Sequence, residues 1–392
     1  MKTLIPTTLS LTAALLLLPG VQAEPTLKES FKNDFLVGAA LNPSQFCESN
    51  TAEAALVKTQ FNSISPENVL KWEKVHPKPD LYDFALADRY VDFGTRNRMF
   101  IIGHNLVWQN QTPGWVFQDA AGQPASREQL LQRMRDHILT VVGRYQGRVK
   151  GWDVVNEALG PDGSLAKDSR WFKIIGPDYI AKAFEFAHEA DPAAELYYND
   201  YSMETNPKRS GGVGLIQKLK SDGIPVTGVG LQGHYTVDWP AANDLNTTID
   251  AFAGLGVKVM ITELDVDVLP SAWGQGSADI THNFALQQKL NPYPNGLPGP
   301  MERRLSDRYA ELFGLFRQHP GAIRRVTFWG VADPDSWLND WPVKGRTSYP
   351  LLFDRQYQPK PAFEAVIQSA SAKSSRASAV EAATKPTETD SR

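Results

Sequence analysis

Val149-Lys150-Gly151-Trp152-Asp153-Val154-Val155-Asn156-Glu157-Ala158 is a short, mostly apolar run that ends in Asn-Glu. A second stretch, Val259-Met260-Ile261-Thr262-Glu263-Leu264-Asp265, repeats the arrangement: apolar and β-branched residues, then a carboxylate. Runs of this length and composition read as buried strands. Six more lie at Leu36–Leu41, Phe61–Ser65, Met99–Trp108, Glu195–Asp200, Gly228–His234 and Ile323–Val331. Helical patterns separate them. Ser126 with Gln129 makes a capping box ahead of Leu130, Met134, Ile138, Val141 and Tyr145, which share one face. Leu305, Tyr309, Leu312 and Phe316 make another stripe, Leu86, Tyr90 and Phe93 a third, and Pro361–Gln368 a closing helix. Strand and helix alternating in this way predict an α/β fold, a (β/α)8 (TIM) barrel. A doubly wound open sheet is the alternative, but no G-x-G-x-x-G follows any of the strands.

Composition narrows the function. Lys+Arg 40 against Asp+Glu 44 leaves no basic field for nucleic acid and no polybasic patch for a membrane surface. The single cysteine, Cys47, excludes an internal disulfide and a Cys-rich zinc site, so a large apolar core must hold the fold. Residues 1–23 read as a secretory signal peptide: Lys2, the apolar run Leu9–Leu18, and Val21-Gln22-Ala23 as a small-residue cleavage site. The apolar run is too short to span a bilayer, so a secreted or periplasmic protein is expected. Residues 371–392 have almost no large apolar side chain and are expected to be a disordered tail. The (β/α)8 domain is then 24–370. The stretch Pro270–Pro300, with Trp273 and Tyr293, is a long loop, and loops of that length are usually functional or disordered.

In a barrel of this kind chemistry collects where strands end. Glu157 and Glu263 would end the fourth and seventh strands at one face. Two carboxylates there suit glycosidic bond cleavage, in which one carboxyl donates a proton and the other attacks or activates water. The structural alternative is that each is neutralised in an internal ion pair. The surroundings favour chemistry. The sixth strand ends in Gln232-Gly233-His234, with His234 placed to bond Glu263. The third ends in His104-Asn105-Leu106-Val107-Trp108, followed by Gln111. The second leads to Glu67, Asn68 and Lys71, and the eighth to Trp329 and Trp337. Polar side chains beside indole faces match the hydroxyls and flat C–H faces of sugars.

These motifs, from Phe61 through Trp72-Glu73, His104–Trp108, Trp152–Glu157, Gly230–His234, Ile261–Asp265 and Trp329–Trp337, occur in an order that resembles the retaining endo-β-1,4-xylanases of glycoside hydrolase family 10. The resemblance covers roughly residues 30–368. It implies that Glu157 is the acid/base, Glu263 the nucleophile and His234 the partner of Glu263, with Asp265 behind it. It implies that Asn156 binds the 2-hydroxyl of the sugar being cleaved. Glu67, Asn68, Lys71, His104, Trp108 and Gln111 would form glycone subsites, and Gln232, Trp329 and Trp337 the walls of the central subsites. Tyr201 would be an aglycone platform. Xylan and xylo-oligosaccharides are the implied partners, for a monomer with no metal and no cofactor. Gln109 and Leu338 depart from the family, which commonly has His and Arg there. Two alternatives remain at this stage: a barrel cellulase or mannanase, and a non-catalytic sugar-binding protein on the same fold.

Overall fold

The apolar runs fold as strands that pair in parallel all the way round. They are β1 (Leu36–Leu41), β2 (Ser63–Pro66), β3 (Phe100–Val107), β4 (Gly151–Asn156), β5 (Glu195–Asp200), β6 (Gly228–Leu231), β7 (His234–Thr236), β8 (Lys258–Asp267) and β9 (Ile323–Phe328). β1 to β6 are neighbours in chain order, β6 pairs with β8, β8 with β9, and β9 returns to β1 with Leu36 opposite Arg325. The sheet is therefore a closed (β/α)8 barrel, as the alternation predicts. The computed structural model describes residues 24–271, 280 and 283–371. The predicted signal peptide and nearly all of the predicted tail lie outside the described residues.

β7 is not a ninth stave. It continues β6 after Gln232-Gly233 and pairs with the far end of β8, placing His234 opposite Asp265. Gly233 makes the break with φ 84°, and a Cβ there would sit 2.7 Å from Ile261. The run Gly228–His234, read as one strand, is thus divided, and the division carries His234 towards the end of β8.

The helices follow their sequence signals with one exception. Ser126 and Gln129 bond reciprocally to each other's backbone, and the helix Arg127–Arg144 buries Leu130, Met134, Ile138 and Val141, with Tyr145 as its C-cap. The helix Gly299–Phe316 buries Leu305, Tyr309, Leu312 and Phe316. In the helix Ala85–Arg96, Tyr90 and Phe93 are buried but Leu86 is 43% exposed. Helical side chains lean towards the N-terminus, so one in the first turn reaches past the end of its own helix. The last helix runs Pro361–Ser371, taking in the first residue assigned to the tail.

Strand residues such as Val37, Ile64, Val229, Ile261 and Val326 join these helical side chains in one continuous core. A different population sits on β4, β5 and β8, where Asp153, Asn156, Asn199, Asp200, Thr262 and Glu263 are all buried. Buried polar groups cost free energy unless they are hydrogen-bonded. That makes the ends of these strands the place to look for function.

Candidate active site

Glu157 directly follows β4 with φ 57°, a left-handed conformation that few non-glycine residues adopt. Its N–H donates to the Asn199 carbonyl on β5 at 2.9 Å. One carboxyl oxygen, Oε2, accepts from the Trp108 indole N–H at 2.7 Å. The other, Oε1, accepts from Gln232 Nε2 at 2.9 Å and from Asn156 Nδ2 at 3.2 Å. These donors are neutral. Desolvation pushes the Glu157 pKa up to about 7; the Gln232 and Trp108 hydrogen bonds oppose the shift, and the charges of Asp200 and Glu263 add to it.

Glu263, within β8, has different company. Its Oε1 accepts from Asn199 Nδ2 at 2.7 Å, and its Oε2 lies 3.2 Å from His234 Nε2. The other ring nitrogen of His234 is 3.1 Å from Asp265 Oδ2, which also accepts from the Trp337 indole at 2.7 Å. Burial alone would discharge His234, but Asp265 and Glu263 outweigh it and raise its pKa to about 10. At neutral pH the ring is therefore an imidazolium and both its nitrogens donate. Burial also works against the charged form of Glu263. The His234 hydrogen bond and charge, together with His104 and Asn199, prevail and hold this carboxyl below its ordinary range.

A run of amides joins the two carboxylates. Asn199 Nδ2, already bonded to Glu263, also donates to Asn156 Oδ1 at 2.8 Å. Asn156 Oδ1 accepts from Gln232 Nε2 at 3.4 Å, and Gln232 reaches Glu157. Thr262 Oγ1 fixes the Asn199 amide by donating to its Oδ1 at 2.6 Å.

The remaining predicted residues complete a cavity of ≈ 150 Å³ at this end of the barrel. Lys71 Nζ donates to Asn68 Oδ1 at 3.0 Å and Gln111 Oε1 at 2.8 Å, and lies 5.0 Å from the Trp108 ring centroid. Burial lowers the Lys71 pKa, while Glu263, Glu67 and Glu157 work in the opposite direction. Burial likewise raises Glu67. His104 Nδ1 is 2.9 Å from Asp153 Oδ2, and Trp329 stands edge-on to His104 and His234. Trp337 stacks on Trp341 with centroids 4.4 Å apart.

Every predicted site residue lines this cavity except Tyr201, which is half-buried under Lys208 Nζ, 3.5 Å from its ring centroid. Three participants were not singled out from sequence. Asn199 and Asp153 bond site residues from inside strands, and Ile280 lines the cavity from the long loop. Asn199 was open to detection, since it stands near the end of the fifth strand beside Asp200-Tyr201. Trp273, from the same loop as Ile280, lies outside the described residues.

The sequence pattern of glycosyl hydrolase family 10 matches residues 26–369. The chain belongs to this family. An endo-1,4-beta-xylanase A of Xylanibacter ruminicola is 45% identical over 347 residues, covering 88% of this chain and 94% of that protein. An endo-1,4-beta-xylanase of Geobacillus stearothermophilus is 40% identical, covering 88% of this chain and 98% of the relative. The solved structure of a family 10 endoxylanase retrieved from sugarcane soil metagenome superposes with a TM-score of 0.85 at 45% identity, over 87% of this chain and 99% of that one. A Paenibacillus barcinonensis xylanase solved with a conduramine derivative gives 0.79 at 39% identity, over 88% and 99%. In chemical terms, this family 10 site places a carboxyl whose pKa is raised to about 7 in the same cavity as one held below its ordinary range.

Proposed function

We propose that the chain is a retaining endo-1,4-β-xylanase, with Glu263 as nucleophile and Glu157 as acid/base, acting on xylan and xylo-oligosaccharides. The observation that carries this reading is the opposite electrostatic setting of two carboxylates lining one cavity. Glu263, ionised beside the His234 imidazolium, attacks the anomeric carbon. As the C1–O bond to the leaving sugar breaks, Glu157 gives its proton to the departing oxygen, and a glycosyl-enzyme ester remains. The negative charge of Glu263 has then gone, and with it one of the influences raising Glu157. Glu157, left as the carboxylate by that transfer, takes a proton from water, and the hydroxyl attacks C1 to release Glu263.

Xylan is the substrate that the names of the relatives support. On this reading Asn156 faces the 2-hydroxyl, and Glu67, Asn68, Lys71, His104, Trp108 and Gln111 hold the glycone. Gln232 and Trp337 wall the centre, with Trp329 closing over C5, where glucose would carry an extra CH2OH. Tyr201 serves the aglycone side. We further propose that the protein is a monomer, exported with its leader removed near Ala23.

Stereochemistry tests the mechanism. Two inversions restore the β configuration, so proton NMR early in xylo-oligosaccharide hydrolysis will show the β-anomer first. First appearance of the α-anomer would overturn the covalent route and the role of Glu263.

A further inference from the structure

Three consecutive backbone N–H groups follow β4, those of Glu157, Ala158 and Leu159, and all three are captured from β5. Glu157 N–H donates to the Asn199 carbonyl at 2.9 Å, Ala158 N–H to the Tyr198 hydroxyl at 3.2 Å, and Leu159 N–H to Asp200 Oδ2 at 3.4 Å. The Tyr198 hydroxyl in turn donates to Asp200 Oδ2. The other Asp200 oxygen accepts from Lys208 Nζ at 2.7 Å and from the Tyr201 N–H at 2.9 Å. Tyr198 and Asp200 are fully buried and Lys208 is 3% exposed.

The sequence gives no reason for a carboxylate and a lysine to be buried here. Neither lines the cavity, and a buried ion pair is weak support for stability compared with an apolar packing of the same volume. Its position suggests another use. Glu157 sits at φ 57°, so the backbone turns sharply just where the side chain must be aimed. Without partners from β5, the N–H groups after that turn would be buried and unbonded, and the turn would relax to bond them elsewhere.

We infer that Asp200 is a positioning residue for Glu157: with Tyr198 it grips the backbone after the turn, and Lys208 holds Asp200 in place. This inference rests on the proposed role of Glu157 as acid/base. Asp200 acts on Glu157 in a second way, through charge, since it is among the groups that raise the Glu157 proton affinity. Lys208 offsets part of that charge. One buried side chain thereby orients the acid and helps to keep it protonated.

Two variants separate these effects. Tyr198→Phe removes the acceptor of the Ala158 N–H together with the hydroxyl's hydrogen bond to Asp200, and leaves every charge in place. Its turnover on xylan, where the leaving group needs a proton, should fall roughly three- to tenfold, the scale of losing the hydrogen bond that holds the Ala158 N–H. Glycosylation by a dinitrophenyl xylobioside, whose leaving group needs no proton, should stay near wild type, and the alkaline limb of the kcat/KM profile should not move. Asp200→Asn should lower the same xylan-to-aryl ratio and also move the alkaline limb to lower pH, because Glu157 then loses its proton more easily. A purely structural role would change melting temperature and both substrates together and would leave the limb fixed. Glu157→Ala serves as the control. If it slows both substrates equally, the acid/base reading itself has failed. If it behaves as an acid/base variant while folded Tyr198→Phe and Asp200→Asn keep the wild-type ratio and limb, the positioning role alone is overturned. Tyr198→Phe loses a single hydroxyl, so it decides the matter even where Asp200→Asn does not fold.

Discussion

Glu157 and Glu263 are the same residue type, one directly after β4 and one within β8 of the same barrel, lining one cavity, and burial works against the charged form of both. They nevertheless differ in the direction they are pushed. Around Glu157 the donors are an indole and two amides, which stabilise a carboxylate without countering its charge. Around Glu263 stands His234, itself held in the charged form by Asp265. Burial is therefore common to the pair, and the charge of the neighbours divides it. The histidines teach the same lesson in reverse. His137 is buried on the helix Arg127–Arg144, stacked on Trp72, with His76 against one ring nitrogen and no hydrogen-bond partner for the other among the described residues. Burial drives its pKa well below the ordinary value. His234, equally enclosed but set between two carboxylates, is raised to about 10.

The comparison can be broken most severely at its ionised member. Glu263→Gln keeps the shape and removes the nucleophile, so turnover on every substrate should fall roughly 10⁴-fold or more. Near-wild-type turnover would place the nucleophile elsewhere. The protonated member should fail selectively. Glu157→Ala should cut natural xylan on the order of 10²- to 10⁴-fold, yet a dinitrophenyl xylobioside should still form the glycosyl-enzyme and azide should rescue its breakdown. Equal losses on both substrates, with no azide effect, would contradict the assignment.

A smaller change sharpens the contrast by making the two carboxylates more alike. His234→Asn takes the imidazolium from Glu263 and leaves its burial in place. Glu263 must be ionised to react, and without the cation it ionises only at higher pH. The acid limb of kcat/KM should therefore move up, by roughly a unit or more for the loss of an adjacent opposite charge. An unmoved limb would mean that His234 does not set the ionisation of Glu263.

The residues that sequence made legible share a physical reason. The strand ends were visible because a carboxylate or an amide after an apolar run stands out against burial, as Glu157, Glu263 and Gln232 do. The capping box at Ser126 and the stripe Leu305 to Phe316 were visible because their signals are local. What escaped was long-range. Asn199 sits within a run that reads as an ordinary strand, and its role exists only because β4 and β8 bring Asn156 and Glu263 to it. The break at Gly233 was hidden because φ is not written in a sequence in which glycine also serves for close packing. The contact of Tyr201 with Lys208, which pairs with the buried Asp200, was hidden as the role of Asn199 was, because only the fold brings these groups together.

The central claim is that neighbouring charge sets two buried carboxyls to opposite tasks, and a titration reads it at each site. Carbon-13 NMR of protein labelled at the glutamate side-chain carboxyl carbon, with Glu157→Gln and Glu263→Gln used to assign the signals, would follow both groups through pH. Glu157 should titrate at about 7, and Glu263 below the ordinary 4.5. Midpoints in the reverse order, or both near the ordinary value, would contradict it.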